Sequence, residues 1–393
     1  MAVPDGPVPA SFDALAEDAL RGGRSLKWTR YGSAIGAFVA EMDFGTAPAV
    51  TRSLHEAVER GQLGYLTPEP AADLGRACAA WLARRYAWDV RPEWITPLAD
   101  VVAGLQAAVE RFTPPGSPVV LPTPAYMPFL TVPGALGREL IQVPMVERGG
   151  RMGYDLDGIA AAFDSGARLF VHVNPHNPLG RVFDTEEQLA LAEVVSAAGA
   201  RVFSDEIHAP LVYPGAVHRP YASLSPETAR HTVTATSTSK AWNVPGLKTA
   251  QLILSSADDA EHWARVGFMY GHGASTPGVL AATAAYDHGE QWLDGVLRYL
   301  EGNRAFLGEL LADRLPKVRW MPPEGTYLAW LDCRQLGLEG SAGAFFLDRA
   351  GVALVDGPEC GAPGVGHVRL NFATPRPVLA TIVERMAAAV RRR

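Results

Sequence analysis

The hydrophobic positions of this chain follow two different periods. Apolar residues recur every three to four positions over residues 49–60, 71–86 and 101–112, which predicts amphipathic helices. Between and after these segments lie short runs with few polar residues, and such runs are typical of strands that are buried on both faces. The strands predicted in this way are residues 95–98, 119–121, 169–173, 200–203, 232–235 and 250–254.

The alternation of helices and apolar strands predicts an α/β protein. Strands of this kind form a mostly parallel sheet with helices packed on both faces. Helical sequence from about Gly278 to Leu311 is long enough to join a second domain. Beyond Pro322 short strands alternate with helices, which indicates a smaller α+β domain. These short strands are predicted at residues 327–332, 352–355 and 367–372.

The length and pattern together predict two domains. A chain of 393 residues exceeds one typical domain. Residues 46–290 form the large domain that contains the sheet. The segment before Phe44 is irregular and glycine-rich, as expected for an arm, so we assign residues 1–45 to the smaller domain as its N-terminal arm. Residues 291–393 form the rest of the smaller domain.

Charge and composition exclude several classes of function. The net charge is −7 and no stripe of arginine and lysine is present, so no nucleic-acid partner is expected. No apolar run reaches the length of a membrane helix, and the first five residues show no signal peptide. Cys78, Cys333 and Cys360 are far apart and odd in number, which predicts free thiols in a reducing compartment. We therefore expect a cytoplasmic protein without membrane contact.

Polar residues directly follow three of the predicted strands. Asn177 lies in a proline-containing loop after one strand, Asp205 follows the next, and Lys240 closes a Ser-Thr-Ser-Lys string after a third. Each has an ordinary interpretation as a turn, a helix cap or a surface charge. However, ligands of an open α/β sheet bind at the carboxyl ends of the strands. Together these residues match one cofactor, pyridoxal phosphate (PLP), which is carried on a lysine and needs an acid beside its ring nitrogen.

The chain resembles the fold-type I PLP enzymes of the aspartate aminotransferase superfamily, and more narrowly the MalY/PatB group of cystathionine β-lyase-like proteins. Two strings are specific to that group, Asn-Pro-His-Asn-Pro at residues 174–178 and Ser-Asp-Glu-Ile-His at residues 204–208. The resemblance covers nearly the whole chain. Its other matching segments are residues 27, 28 and 31, 39–44, 64–65, 124–129, 239–240, 325–330 and 369–372.

This resemblance implies roles for the residues around the cofactor ring. Lys240 would hold PLP as an imine and, once released by the substrate, remove the proton from Cα. Asp205 would pair with the ring nitrogen, and Tyr126 would stack on the ring face, so these three form the expected catalytic set. Asn177 would hydrogen-bond the phenolic oxygen. His208 stands where many relatives have a tyrosine in the same role.

The resemblance also implies a site for the cofactor phosphate and an oligomeric state. The free N–H groups at a helix start bind anions well. Tyr65 would reach the phosphate from a partner subunit, which implies a homodimer with shared active sites. The phosphate-binding residues expected within the chain are Val101, Val102, Ser237, Ser239 and Lys248.

The expected substrate is a small amino acid. Arg369 would bind its α-carboxylate through a two-pronged contact that lysine cannot reproduce, and Phe38 would line its pocket. No metal is expected, since His172 and His176 straddle a strand end and a proline-containing loop and share no helical face. No glycine-rich nucleotide motif follows the first strand, so we expect neither NAD nor ATP.

Several positions depart from the pattern of the group. Lys248 stands where aminotransferases commonly have arginine, Phe38 where the group has tryptophan, and Glu41 where it has aspartate. Asp100 would repel a phosphate unless it turns away to cap the helix that follows, and we predict that it is a cap. Cys360 stands where the group has phenylalanine and is interpreted as a small apolar filler.

The group-specific strings favour a carbon–sulfur β-lyase that converts cystathionine or a related cysteine S-conjugate to a thiol, pyruvate and ammonia. The alternative is a class I/II aminotransferase, which uses the same residues, so they do not decide between the two. A third hypothesis is a transcription regulator with an aminotransferase-like domain. The N-terminal arm is too short and not basic enough for the DNA-binding module of such a regulator, whereas regulation through protein contacts alone stays open.

Overall fold

The computed structural model describes residues 12–392, and predictions for residues 1–11 and 393 lie outside them. The helices are α1 (Glu17–Gly22), α2 (Leu26–Thr29), α3 (Pro48–Glu59), α4 (Pro68–Tyr86), α5 (Val101–Arg111), α6 (Met127–Ala135), α7 (Leu156–Asp164), α8 (Thr185–Ala197), α9 (Pro226–His231), α10 (Thr238–Ala241), α11 (Ala257–Val266), α12 (Phe268–Gly271), α13 (Thr276–His288), α14 (Glu290–Arg314), α15 (Ala342–Ala350) and α16 (Arg376–Arg391). The strands are β1 (Ile35–Gly36), β2 (Ile95–Leu98), β3 (Val119–Thr123), β4 (Leu140–Pro144), β5 (Val146–Arg148), β6 (Arg151–Gly153), β7 (Leu169–Val173), β8 (Arg201–Asp205), β9 (Thr232–Thr236), β10 (Ala250–Leu254), β11 (Arg319–Trp320), β12 (Leu328–Asp332), β13 (Val352–Ala353), β14 (Val355–Asp356) and β15 (His367–Asn371).

The largest sheet has seven strands in the order β2-β10-β9-β8-β7-β3-β4. All its neighbouring pairs are parallel except those of β10, which runs antiparallel to β2 and β9. The predicted mostly parallel sheet of an α/β protein is therefore confirmed. Strand β4 was not predicted, because it lies at the edge of the sheet and carries partly exposed residues, including Gln142, in place of a continuous apolar run.

Helices cover both faces of this sheet, and their packing fixes where α5 begins. The buried cluster on one face of the sheet includes Leu105 and Phe129, and the cluster on the other face includes Phe163 and Leu191. Gly104 brings α5 close to the sheet, because an added Cβ would lie 3.0 Å from the Cβ of Ala235. The start of α5 is thereby held at the carboxyl ends of the central strands.

A second sheet of four antiparallel strands has the order β11-β12-β15-β14. The single strand predicted at residues 352–355 is wrong in detail, because the chain switches sheets at Leu354. β13 pairs with β1 of the N-terminal arm, whereas β14 pairs with β15. The domain boundaries at residues 45/46 and 290/291 stay predictions.

The long helix predicted from Gly278 to Leu311 is two helices, α13 and α14, joined at Gly289. The indole Nε1 of Trp242 donates to the Gly289 carbonyl at 3.0 Å, and a Cβ at this glycine would lie 2.4 Å from the same nitrogen. The close approach of Trp242 therefore requires glycine at the junction.

The N-terminal arm is more ordered than the irregular segment we predicted, since it contains α1, α2 and β1. Lys27 and Asp43 form a buried ion pair at 2.8 Å. The side-chain amide of Asn371 donates to the carbonyls of Val39 at 2.7 Å and Glu41 at 2.6 Å. These contacts hold the segment that ends at Asp43 against β15.

The three cysteines are buried and unpaired, which confirms the predicted free thiols. Burial raises the pKa of the Cys360 thiol to about 11, so it is protonated at neutral pH, as expected of an apolar filler. Among the helices of residues 12–392, none has both the length and the apolar character needed to cross a membrane.

Candidate active site

A cavity of about 400 Å³ lies where β2, β7, β8 and β9 end, with residues of the arm and of β14 and β15 on its other side. Its volume is within the roughly 300–1,000 Å³ that small-molecule sites commonly have. The structure brings nearly all the predicted site residues together here. The predicted residues that line this cavity are Phe38, Val101, Val102, Tyr126, Asn177, Asp205, His208, Ser237, Ser239, Lys240, Lys248 and Arg369.

Lys240 lies in α10, directly after β9. Its Nζ donates a hydrogen bond to the backbone carbonyl of Ala40 at 3.0 Å. Burial lowers the pKa of this amine to about 8, and the positive charge of Arg369 adds to the lowering. A useful fraction of the amine is therefore neutral near pH 7 to 8, and the neutral amine is the form that attacks a carbonyl or accepts a proton.

Asp205 is the last residue of β8, and its side chain is buried. One carboxylate oxygen accepts a hydrogen bond from the Ile207 N–H at 3.1 Å. Burial raises the pKa of this carboxyl to about 7, and no arginine or lysine of residues 12–392 forms an ion pair with it. A cation placed against Asp205 would offset the free-energy cost of burying its negative charge, so the site favours a ligand with a positively charged N–H group.

Arg369 on β15 is held in place by two hydrogen bonds. One terminal nitrogen donates to Oδ1 of Asn177 at 2.9 Å, and the other donates to the carbonyl of Phe38 at 2.7 Å. The nitrogen that bonds Asn177 also donates a longer contact to the Met127 Sδ at 4.0 Å. A guanidinium has five N–H groups, so two remain for a ligand, including the buried and unpartnered Nε–H. Because the Asn177 oxygen faces Arg369, its NH₂ group is free to donate into the cavity.

Two rings complete the wall beside the strands. His208 is buried, its Nδ1 has no partner in the described part of the chain, and burial holds its pKa well below the usual range. It is therefore a neutral imidazole that can donate or accept one hydrogen bond. Tyr126 precedes α6, and its ring packs edge-on against Phe129 with centroids 5.3 Å apart.

At one end of the cavity lies the start of α5. The Oδ1 atom of Asp100 accepts from the Ala103 N–H at 2.9 Å, which confirms the predicted cap. The first two N–H groups of the helix, from Val101 and Val102, have no intrahelical acceptor. Lys248 lies beside them, with Nζ 3.2 Å from Oδ2 of Asp100, a pairing that we did not predict.

The two serines at this end differ in whether their hydroxyl group is free to hydrogen-bond a ligand. The Ser237 hydroxyl donates to the Thr249 carbonyl at 2.7 Å and accepts from the Ser239 N–H at 3.0 Å, so its proton is already in use. The Ser239 hydroxyl makes no hydrogen bond within residues 12–392 and is available to a ligand. The role predicted for Ser237 stays a prediction.

Tyr65 is the one predicted site residue that the structure does not bring to the cavity of its own chain. Its side chain is 89% exposed, and its ring stacks on His272 with centroids 6.0 Å apart. This position is compatible with a role in a partner subunit.

The site also contains groups that sequence reasoning missed. The carbonyl of Ala40 accepts from both Lys240 and the Tyr327 hydroxyl, each at 3.0 Å. A backbone carbonyl has no side-chain signature, so only the structure could find it. Among the other residues lining the cavity, we assigned no role to Arg30, Tyr31, Met127, Leu354, Val355 or Glu359.

These features fit PLP from one end to the other. The buried carboxyl of Asp205, which forms no ion pair within residues 12–392, suits a protonated ring nitrogen, and the unused donors of Asn177 and His208 suit a phenolic oxygen. The start of α5 and Lys248 suit a phosphate. The same cavity contains the Lys240 amine, whose pKa is lowered, at the strand ends of a mostly parallel sheet. Together these groups define an enzyme that carries its cofactor on a lysine.

Comparison with known proteins agrees with this class. The family model for aminotransferase class I and II matches residues 38–386. The chain is 38% identical over 380 residues to the cystathionine β-lyase of Corynebacterium glutamicum, covering 96% of this chain and 100% of that protein. It is 35% identical to the cystathionine β-lyase PatB of Bacillus subtilis, over 94% of this chain and 97% of that one.

A solved structure is similarly close. The putative PLP-dependent β-cystathionase of Corynebacterium diphtheriae superposes with a TM-score of 0.90 at 43% identity, over 96% of this chain and 98% of that one. The chain therefore belongs to the aminotransferase class I and II family, within the group that contains these cystathionine β-lyases.

Proposed function

We propose that this protein is a carbon–sulfur β-lyase that uses PLP to cleave cystathionine or related cysteine S-conjugates into a thiol, pyruvate and ammonia. The observation that carries the proposal is one cavity that contains both the Lys240 amine, whose pKa is lowered, and the buried Asp205 carboxyl, which forms no ion pair within residues 12–392. The choice of lyase rests on full-length similarity to cystathionine β-lyases.

The cofactor would be held along the whole cavity. Lys240 would bind its aldehyde carbon, Asp205 would hold the proton on its ring nitrogen, and Asn177 and His208 would donate to its phenolic oxygen. Tyr126 would cover the ring face. When bound, PLP supplies an electron sink that stabilises negative charge at the substrate Cα. The groups proposed to hold the phosphate are the N–H groups of Val101 and Val102 and the side chains of Ser237, Ser239 and Lys248.

Arg369 orients the substrate by binding its α-carboxylate. Two of its N–H groups are occupied by Asn177 and the Phe38 carbonyl, which fixes the guanidinium plane before the substrate arrives. Such preorganisation reduces the entropy lost on binding. Phe38 and Tyr31, whose rings pack edge to face with centroids 5.0 Å apart, line the substrate side of the cavity.

Once the substrate amine has displaced Lys240 from the cofactor, its free amine would remove the proton from Cα. Its lowered pKa makes the neutral amine available near neutral pH. The electron pair left by the departing proton breaks the bond between Cβ and sulfur, because a thiolate is a good leaving group. The thiolate takes up a proton, and addition of water to the remaining three-carbon unit yields pyruvate and ammonia.

The direct test is incubation of the purified protein with cystathionine and assay of the products. We expect free thiol, pyruvate and ammonia without addition of a keto acid. Absence of thiol release, together with amino transfer from alanine to a keto acid, would favour an aminotransferase and contradict the lyase proposal.

We further propose that the protein is a cytoplasmic homodimer with shared active sites. Tyr65 is highly exposed, and its neighbours Leu63, Phe268 and Met269 are exposed apolar residues as well. The rings of Tyr65 and Phe268 each pack against the ring of His272. An exposed apolar patch of this kind is typical of an interaction surface, and in a dimer Tyr65 would reach the partner's phosphate site.

Mixed dimers test the shared site. We expect a mixture of Tyr65→Phe and Lys240→Ala protomers to be more active, at limiting PLP, than the two variants measured separately. In each hybrid one site combines an intact Lys240 with an intact Tyr65 from the other subunit. If Tyr65 served its own subunit, no site in the hybrid would be intact and activity would not recover. A fully active monomer in light scattering would contradict the dimer itself.

A further inference from the structure

The most unusual feature of the site is the carboxylate of Asp100 at its phosphate end. This side chain uses both oxygens. Oδ1 takes up the third N–H group of α5, from Ala103, at 2.9 Å, and Oδ2 lies 3.2 Å from the Nζ of Lys248. Asp100 and Lys248 both line the cavity.

One of these partners, Lys248, is among the groups proposed to bind the cofactor phosphate, and the other belongs to the helix start that would attract it. A helix start attracts anions through its free N–H groups and its dipole, and a lysine attracts them as a point charge. Asp100 already occupies one of the N–H groups and neutralises the lysine. It leaves the N–H groups of Val101 and Val102 and adds a negative charge beside them.

The contact between Asp100 and Lys248 does little to hold the lysine in place. The two side chains are 43% and 62% exposed, and ion pairs this exposed to water are weak. Lys248 can therefore turn from the carboxylate to a phosphate at little cost. The carboxylate remains fixed by its cap to α5, so its repulsion of the phosphate remains.

We propose that Asp100 is an internal competitor of the cofactor phosphate. It pairs with Lys248, takes up the third N–H group of α5, and weakens the binding of PLP through charge repulsion. The protein consequently exchanges its phosphorylated cofactor more readily than it would with a neutral residue at position 100. This inference rests on the proposed PLP-dependent function.

The test compares PLP with pyridoxal, which lacks the phosphate, on the full-length protein freed of cofactor. Asparagine at position 100 keeps an oxygen for the cap and removes only the charge. We expect Asp100→Asn to lower the dissociation constant for PLP about tenfold, the order expected when a single like charge near a dianion is removed in a partly solvated site. The constant for pyridoxal should stay unchanged. The PLP difference should also shrink at high salt.

Two further variants serve as controls. Asp184 caps α8 in the same way, with its side chain accepting from the Glu187 N–H, and lies outside the cavity. Asp184→Asn should leave both dissociation constants unchanged. Lys248→Met should weaken PLP binding more in the Asp100→Asn background than in the wild type, since the lysine is then no longer shared.

The outcomes separate the inference from the function on which it rests. Weaker or unchanged PLP binding in Asp100→Asn would overturn the inference and make Asp100 a positioning residue for Lys248 or a cap alone. An equal change for pyridoxal would also overturn it, because the effect would not involve the phosphate. If neither compound attaches to Lys240 in the wild type, the proposed function fails, and the inference fails with it.

Discussion

Replacement of Lys240 by alanine is expected to abolish both thioether cleavage and covalent attachment of the cofactor. The wild-type protein should be yellow as purified, and borohydride should fix the cofactor irreversibly to one lysine. In Lys240→Ala the absorbance of the bound imine and the borohydride-fixed label should both be lost. Peptide mass spectrometry of the reduced wild type should place the label on Lys240.

The chain offers few other candidates for this role, since it has only four lysines. Lys27 is buried in its ion pair with Asp43, and Lys248 pairs with Asp100 at the phosphate end. Lys317 is exposed and does not line the cavity, so Lys317→Ala is a matched control that should keep both colour and activity. A reducible cofactor linkage in Lys240→Ala would show that a different lysine carries the group.

The second large effect is expected from Asp205→Asn. Asparagine can still accept the Ile207 N–H through its side-chain oxygen, so cofactor binding should persist. A neutral amide cannot hold a proton on the ring nitrogen, and the loss of one such charge-assisted contact costs about 10²-fold or more in kcat. The measurement is kcat for thioether cleavage at saturating PLP, with the visible spectrum as the check on binding. A kcat near that of the wild type would contradict the role of Asp205.

Much of the large sheet and of the site could be predicted because its strands are short apolar runs and the polar site residues directly follow them. The centre of β8 consists of the apolar Val202 and Phe203, so Asp205 stands out as a carboxylate at a strand end. The same reasoning identified Asn177 and Lys240. Strand β4 was not predicted, because its edge position leaves its residues partly exposed and no continuous apolar run marks it.

What could not be predicted depends on contacts between distant parts of the chain. The carbonyl of Ala40 reaches Lys240 only because Asn371 and the ion pair of Lys27 hold the arm against the small sheet. The division of the long helix at Gly289 likewise follows from a remote residue, Trp242.

The same limit applies to the phosphate end of the cavity. The sequence identifies Asp100 as a cap and Lys248 as a cation, but they are 148 positions apart. Their pairing follows from the fold, which places Lys248, the residue after a short 3₁₀ helix (Pro245–Leu247), beside the start of α5. Sequence pattern alone contains no signal for such a contact.

The fate of the amino nitrogen tests the proposed lyase activity most directly. A cysteine thioether labelled with ¹⁵N at its amino group would be incubated with the protein and an unlabelled keto acid together. The proposed lyase activity would yield ¹⁵N-ammonia, pyruvate and free thiol in equal amounts. Appearance of ¹⁵N in the amino acid formed from the keto acid, with the thioether bond left intact, would contradict it and identify an aminotransferase.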